Sequence, residues 1–451
     1  MLRLRILAPL AALGLVAAAC GSGDDDTEVS APTPADGTDV TVDPSADGLT
    51  DLAATADDTP LFSPTETDEP FDLDGGVTSG NADTDVIDDP DGRGALAGDV
   101  AQASEPWPTD WTRRTVDVSE IALGIGRVDP RDAIPPIDVP TFETPAQAAT
   151  WLRPAEPGAL VQVDGEARFY PLSILTRHEI VNDRFGDVPV AVTFCPLCNT
   201  ALSFDRRVDG EVLRFGVSGL LRLSDLVMWD DATTTLWQQI TGEGIVGELA
   251  GTQLAPVSTA IVSFEQFATS FPEGRSLSRE TGFGISYGAN PYVGYSSGDG
   301  PIGGFFAPEV DPRFPALERV VGVSAGGEET AYPFSVLESE LVVNDTVGGE
   351  PVVVWWGGGT VDALDAGRIA DSQAIGTAIA FDPRVGDRSL TFEAADDGRF
   401  RDTETGTEWN LLGQAVAGEL AGEALATVTH RNEFWFAWAG FFPDARVFEG
   451  S

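Results

Sequence analysis

Two stretches of this chain carry one pattern. YPLSILTRHEIVND (Tyr170–Asp183) returns as YPFSVLESELVVND (Tyr332–Asp345), an offset of 162 residues that holds without a gap to Pro189 and Pro351. Further matches follow in order: Phe204-Asp205 with Phe381-Asp382, Leu213 and Phe215 with Leu390 and Phe392, Asp230 and Trp237 with Asp402 and Trp409. GELAG then recurs at Gly247–Gly251 and Gly418–Gly422, and Phe271-Pro272 recurs as Phe442-Pro443. The shared residues are framework residues, because aromatics fill cores while glycine and proline set turns. An internal repeat of this kind predicts two copies of one unit, a first lobe over 106–312 and a second over 313–451. Both halves read as short β-branched runs broken by Gly, Pro and Asp/Asn, for example 159–163, 167–170, 190–194, 212–217 and 352–356. Short helices are expected after Tyr170-Pro171, at Gln147–Leu152, and near Phe264–Phe271 and Glu433–Phe441. The expected fold class is mainly β (β-rich α+β), in two related lobes from an internal duplication, the second degenerate. The recurring Asn182-Asp183 and Asn344-Asp345 read as turn signals.

The copies differ in their reactive residues. At the same offset His178 becomes Glu340, Cys195 becomes Gly357 and Cys198 becomes Thr360, while Met228 faces Phe400. After residue 20 the chain holds two histidines, two cysteines and one methionine, and four of these five fall between 178 and 228. The run Val190–Phe194 reads as a buried strand, and Cys195-Pro-Leu-Cys198 starts where it ends. Proline suits the second position of a tight turn, which brings the first and fourth side chains together. Two such sulfurs can close a disulfide, grip a soft metal or shuttle electrons. In the metal reading Cys195 and Cys198 are ligands, His178 adds an imidazole and Met228 a fourth donor, with copper(I) or zinc as the ion. In the redox reading Cys195 attacks, Cys198 resolves, and His178 lowers a thiol pKa or relays a proton. In the third reading the cysteines only staple a turn. His178 in its apolar stretch and Met228 between Val227 and Trp229 each have a plain core role as the competing assignment. Asp205 and Glu179 are structural or support the site, and His430 reads as a surface residue.

Composition bounds the partners. A chain of 451 residues with a net charge of −47, whose basic residues are all arginine, excludes a nucleic-acid partner, since phosphate binding needs a basic surface. Residues 1–20 read as a signal peptide: Arg3 and Arg5, an apolar stretch from Ile6 to Ala19 too short to span a bilayer, then Ala-Ala-Ala-Cys20-Gly21. This ending resembles a bacterial lipobox, which implies lipidation of Cys20 and a membrane anchor on the extracytoplasmic face. Residues 21–105, rich in Asp, Thr, Gly, Ala and Pro, are expected to form a disordered acidic linker.

Beyond these readings a series of motifs runs through the chain: DAIPPID (132–138), Tyr170-Pro171, HEIVND (178–183), CPLC (195–198), FDR (204–206), FGVSG (215–219), LVM (226–228), Trp237-Gln238, FWFAW (434–438) and Pro443-Asp444. The series resembles the DUF3179 family over nearly all of 115–449. The resemblance implies an envelope location and marks His178-Glu179 and the cysteine pair as motif residues. It implies no established activity. The expected function is that of an envelope-anchored lipoprotein with a Cys-x-x-Cys soft-metal or thiol-redox site, served by an envelope protein or a metal-delivery partner. The alternative is a non-enzymatic binding or scaffold module with a structural disulfide, in which the Gly/Tyr-rich loop 282–295 contacts a ligand or partner.

Overall fold

The computed structural model describes residues 85–450. The expected leader, Cys20 and most of the expected linker lie outside the described residues. The described part is mainly β and belongs to one compact unit. Among the described residues no α-helix exceeds seven residues, and no helix is long and apolar enough to cross a membrane.

One order of elements runs twice. In the first half, strand Pro157–Val163 pairs with Glu166–Pro171, helix Leu172–His178 follows, and hairpin Ile180–Phe185/Val188–Cys195 leads to strand Thr200–Asp205. In the second half, Arg319–Ala325 pairs with Glu328–Pro333, followed by helix Phe334–Glu340, hairpin Val342–Val347/Glu350–Gly357 and strand Thr377–Phe381. Thr259–Ser263 flanks the first pair and His430–Phe434 flanks the second, each leading into a seven-residue helix, Phe264–Ser270 or Trp435–Phe441. A proline precedes each of the two earlier helices, where its fixed φ suits the entry and its missing N–H costs nothing.

The framework matches have a physical basis in polar clamps. Asn182 Nδ2 donates to Phe215 O at 2.8 Å and its Oδ1 accepts from Phe215 N–H at 3.0 Å, so one side chain pairs like a strand. Asn344 does the same with Phe392, at 2.8 and 2.9 Å. Asp230 accepts from Thr233 N–H at 2.6 Å and from Trp237 Nε1 at 2.9 Å; Asp402 accepts from Thr405 N–H at 2.6 Å and from Trp409 Nε1 at 3.0 Å. Both indoles are fully buried, and a buried N–H without its acceptor would cost roughly 1–3 kcal/mol. Tyr170 and Tyr332 donate to Asp183 and Asp345. The cation on that carboxylate changes source. Arg168 supplies it in the first half, whereas Thr330 stands at the matching position and Arg446, in register beside Thr330, supplies it in the second.

Several expectations are corrected. The Asn-Asp pairs lie inside strands Ile180–Phe185 and Val342–Val347, not in turns, because their side chains find partners within the fold. The expected linker ends earlier than residue 105: Ile87–Asp88 pairs with Arg113–Arg114, and helix Gly98–Ala103 buries Val100. Expected strand 212–217 is interrupted at Leu213-Arg214, where Arg214 turns out to bind Asp132 and Asp138. Expected helix Gln147–Leu152 occurs earlier, at Pro145–Ala148, under a capping box from Thr144. The two halves keep separate sheets but share cores, since Phe169, Val262 and Phe267 pack in one cluster with Trp355, Phe381 and Trp409.

Candidate metal centre

Strand Val188–Cys195 is buried along its whole length and delivers Cys195 at its end. Pro196 and Leu197 turn the chain, Asn199 takes a left-handed φ of 55°, and Thr200 pairs back onto Cys195. The turn sets the two cysteines 4.0 Å apart, as free buried thiols. Facing them is the hairpin Phe215–Arg222/Asp225–Asp230. It turns through Leu223 and Ser224, with φ of 51° and 65°. Such a turn ordinarily takes Asn-Gly, and residues with a Cβ are strained there by roughly 1–2 kcal/mol each. The strained turn brings Ser224 C=O to 3.8 Å from Cys195 Sγ and starts the next strand at Asp225.

The ligand atoms of Cys195, Cys198 and Asp225 all lie within 4.8 Å of one another, and all three residues are buried. Asp225 Oδ2 accepts from Gln238 Nε2 at 2.6 Å and Ile240 N–H at 2.9 Å, which fixes the carboxylate. Its Oδ1 meets no nitrogen or oxygen donor, and the Cys195 thiol lies close enough to the carboxylate to hydrogen-bond it. Glu179 caps helix Leu172–His178 with a left-handed φ of 58°, and its C=O accepts from Phe194 N–H at 2.8 Å. Burial, then the Asp225 charge, pushes Glu179 up to about 8. Burial pushes Asp225 up to about 7 against the bonds from Gln238 and Ile240. Burial also raises both thiols; Asp225 and Glu179 add to the effect on Cys195, and Cys195 and Asp225 to that on Cys198. From the second half, Phe434 N–H donates to Cys198 O at 2.9 Å, and from the long connection Tyr295 Oη donates to Leu197 O at 2.7 Å.

His178 is not brought to the thiols. Its Nδ1 lies 2.6 Å from Pro135 O, which can only accept, so Nδ1 carries the proton and Nε2 accepts from Tyr287 Oη at 2.7 Å. Both nitrogens are occupied, and burial lowers the ring's pKa. Met228 sits in register with Val217 and Trp237 in the core, three residues from Asp225, roughly 10 Å along a strand. His430 is buried, not exposed, with Nδ1 at 2.9 Å from Val428 O. Asp205 grips Arg207 through both carboxylate oxygens. Loop 282–295 packs on the first half through Tyr287 and Tyr292 and reaches the second through Asn290 N–H to Gly367 O at 3.1 Å.

Asp225 escapes a reading of the sequence for a specific reason. Counted back from the Asp230/Asp402 match, Asp225 falls opposite Asp397, so a comparison of the copies shows no difference there. Asp397 is exposed, whereas Asp225 is fully buried against the thiols.

The hairpin that carries Asp225, the cysteine turn and the Phe434 segment are all contained in the match to one family model, described as a protein of unknown function (DUF3179), over residues 131–445. The chain belongs to the DUF3179 family. No curated protein and no solved structure matches it. In this DUF3179 chain the match begins at Arg131, beside Asp132, and runs through both halves, so the second half is part of the family unit.

Proposed function

We propose that this protein is an envelope-anchored metal-binding protein whose first half holds a zinc-type site made by Cys195, Cys198 and Asp225. The observation that carries this reading is the convergence of two buried free thiols and a buried carboxylate, whose donor atoms all lie within 4.8 Å of one another. Two sulfurs on one tetrahedral zinc stand roughly 3.8 Å apart at Zn–S of about 2.3 Å, and the cysteines here are 4.0 Å apart. A cation also offsets the cost of several acids buried together, which would otherwise have to stay protonated. Redox exchange is less well supported, because a reactive thiolate needs positive neighbours and access, and these thiols have acids and burial. Copper(I) loses support with His178 and Met228 placed elsewhere, since a carboxylate suits zinc better. The enclosure of the site favours a structural or holding role over catalysis. The second half repeats the framework with Gly357 and Thr360 at the cysteine positions, consistent with a duplicated unit that kept its scaffold and not its thiols.

The test is metal analysis and thiol titration of the anaerobically purified chain. One zinc per chain is expected, with both Cys195 and Cys198 becoming titratable on chelation. A metal-free protein with a disulfide that resists mild reductant leaves only the structural staple. For the anchor, Cys20→Ala is expected to release the chain from the membrane fraction; unchanged membrane retention would exclude lipid attachment at that residue.

A further inference from the structure

A tetrahedral ion held by Cys195, Cys198 and Asp225 needs a fourth donor. We infer that Glu433, from the second half, supplies it, so that the metal bolts the two halves together. This inference rests on the metal reading above and deepens it.

Glu433 is fully buried, and neither carboxylate oxygen has a hydrogen-bond partner. Its strand, His430–Phe434, abuts the cysteine turn, because the N–H of the next residue, Phe434, donates to Cys198 O at 2.9 Å. A second chain of contacts ties Glu433 to Asp225. Arg431 Nε lies 3.8 Å from Glu433 Oε1, Arg431 Nη1 donates to Ile240 O at 3.1 Å, and Ile240 N–H donates to Asp225 Oδ2 at 2.9 Å. These contacts hold the Glu433 strand against the cysteine turn. The Glu433 carboxylate lies outside the group of donor atoms within 4.8 Å of one another, yet near enough for its charge to act on Cys198 and to feel that of Asp225, so joining the ion takes a side-chain movement. The 3.8 Å separation from Arg431 is too long for a hydrogen bond, so the ion pair is loose: Nη1 and Nη2 bind Ile240, Ser324 and Glu329, while Nε faces Glu433 with no other partner. A buried ionised carboxylate without a hydrogen bond is costly; protonation relieves the cost in the empty chain, as burial pushes Glu433 up to about 8, and a cation relieves it in the loaded one. The copies agree with this assignment: counted back from the Phe271/Phe442 match, Glu433 falls opposite Val262, so the acid belongs to the second half alone. Glu179 is the competing donor. It keeps a residual exposure of 7%, against 0% for Glu433.

The experiment uses the full chain with zinc alone and with cobalt(II) as a spectroscopic probe. Wild type, Glu433→Gln and Glu179→Gln are compared by competition against a chromophoric zinc chelator. Glu433→Gln is expected to weaken zinc binding by about 10–100-fold and to change the visible cobalt bands, while the sulfur-to-cobalt charge-transfer bands stay. Glu179→Gln is expected to stay within about threefold of wild type. Zinc should also slow amide exchange in 430–441 of wild type and not in Glu433→Gln. Should Glu433→Gln fail to fold, Glu433→Asp keeps the charge with a shorter reach and is expected to show an intermediate loss. Wild-type affinity and spectrum in the Glu433 variants, or the loss appearing in Glu179→Gln instead, overturns the assignment. A wild-type chain that binds no zinc removes the metal reading itself, a different and distinguishable failure.

Discussion

Replacing Cys195 and Cys198 together by serine is expected to weaken zinc binding on the order of a thousandfold or more, leaving the chain without bound metal after dialysis. A serine hydroxyl does not ionise near neutral pH, so the ion would lose both of its thiolate donors and keep carboxylates alone. The second half cannot compensate, since Gly357 and Thr360 stand where the cysteines would be. Binding to the folded chain stabilises it in proportion to occupancy, so the loss also appears as a missing zinc-dependent rise in melting temperature. His178→Gln is the informative contrast. Both imidazole nitrogens are already engaged, by Pro135 O and Tyr287 Oη, so this variant is expected to keep wild-type zinc affinity while losing some stability. Competition titration and metal analysis of the two variants decide the matter. Stoichiometric zinc in the double serine variant, or loss of zinc in His178→Gln, would contradict the proposed ligand set.

What can be read from the sequence follows the repeat. Two copies in register expose framework residues, and those residues turn out to be clamps: Asn182 with Phe215, Asp230 with Trp237, and their counterparts in the second half. The cysteine turn is legible too, because strand, proline and spacing are all local. The rest of the site depends on long-range contacts. Asp225 meets Cys195 across thirty positions through a hairpin whose Leu223-Ser224 turn has no sequence signature, and its counterpart is again Asp. Glu433 comes from the other half. His178 misleads because it differs between the copies and shares a short window with the cysteines, while the partners that satisfy it, Pro135 and Tyr287, are 43 and 109 residues away. His430 looks exposed in Thr-His-Arg-Asn, yet it begins a strand buried at every position, Arg431 included. In 85–105 a few apolar residues, Leu96 and Val100 among them, suffice to dock an otherwise acidic segment beside Trp107 and Trp111.

Metal-free and zinc-loaded protein are expected to respond to pH in opposite directions. In the folded chain Glu179 and Glu433 are pushed up to about 8 and Asp225 to about 7, chiefly by burial. Unfolded, the same groups titrate near the ordinary carboxylate values of about 4. Between these limits the folded state holds protons that the unfolded state has released, so raising the pH favours unfolding. The contribution is complete at acid pH and is lost as pH rises through 7 to 8. Asp345, held low by the Arg446 and Tyr332 bonds against its burial, acts in the other sense, as one of several carboxylates whose contribution is lost at acid pH. Chelated protein should therefore melt highest near pH 5 and progressively lower toward pH 8. Zinc binding expels protons from the thiols and carboxyls, so its affinity climbs with pH, and loaded protein should hold or gain melting temperature over the same range. Thermal melts with and without chelator at pH 5, 6.5 and 8 measure the divergence, widest at pH 8. Apo melting that rises with pH across this window would mean that these carboxyls are ionised in the folded chain. Parallel curves for the two forms would mean that no ion sits among them.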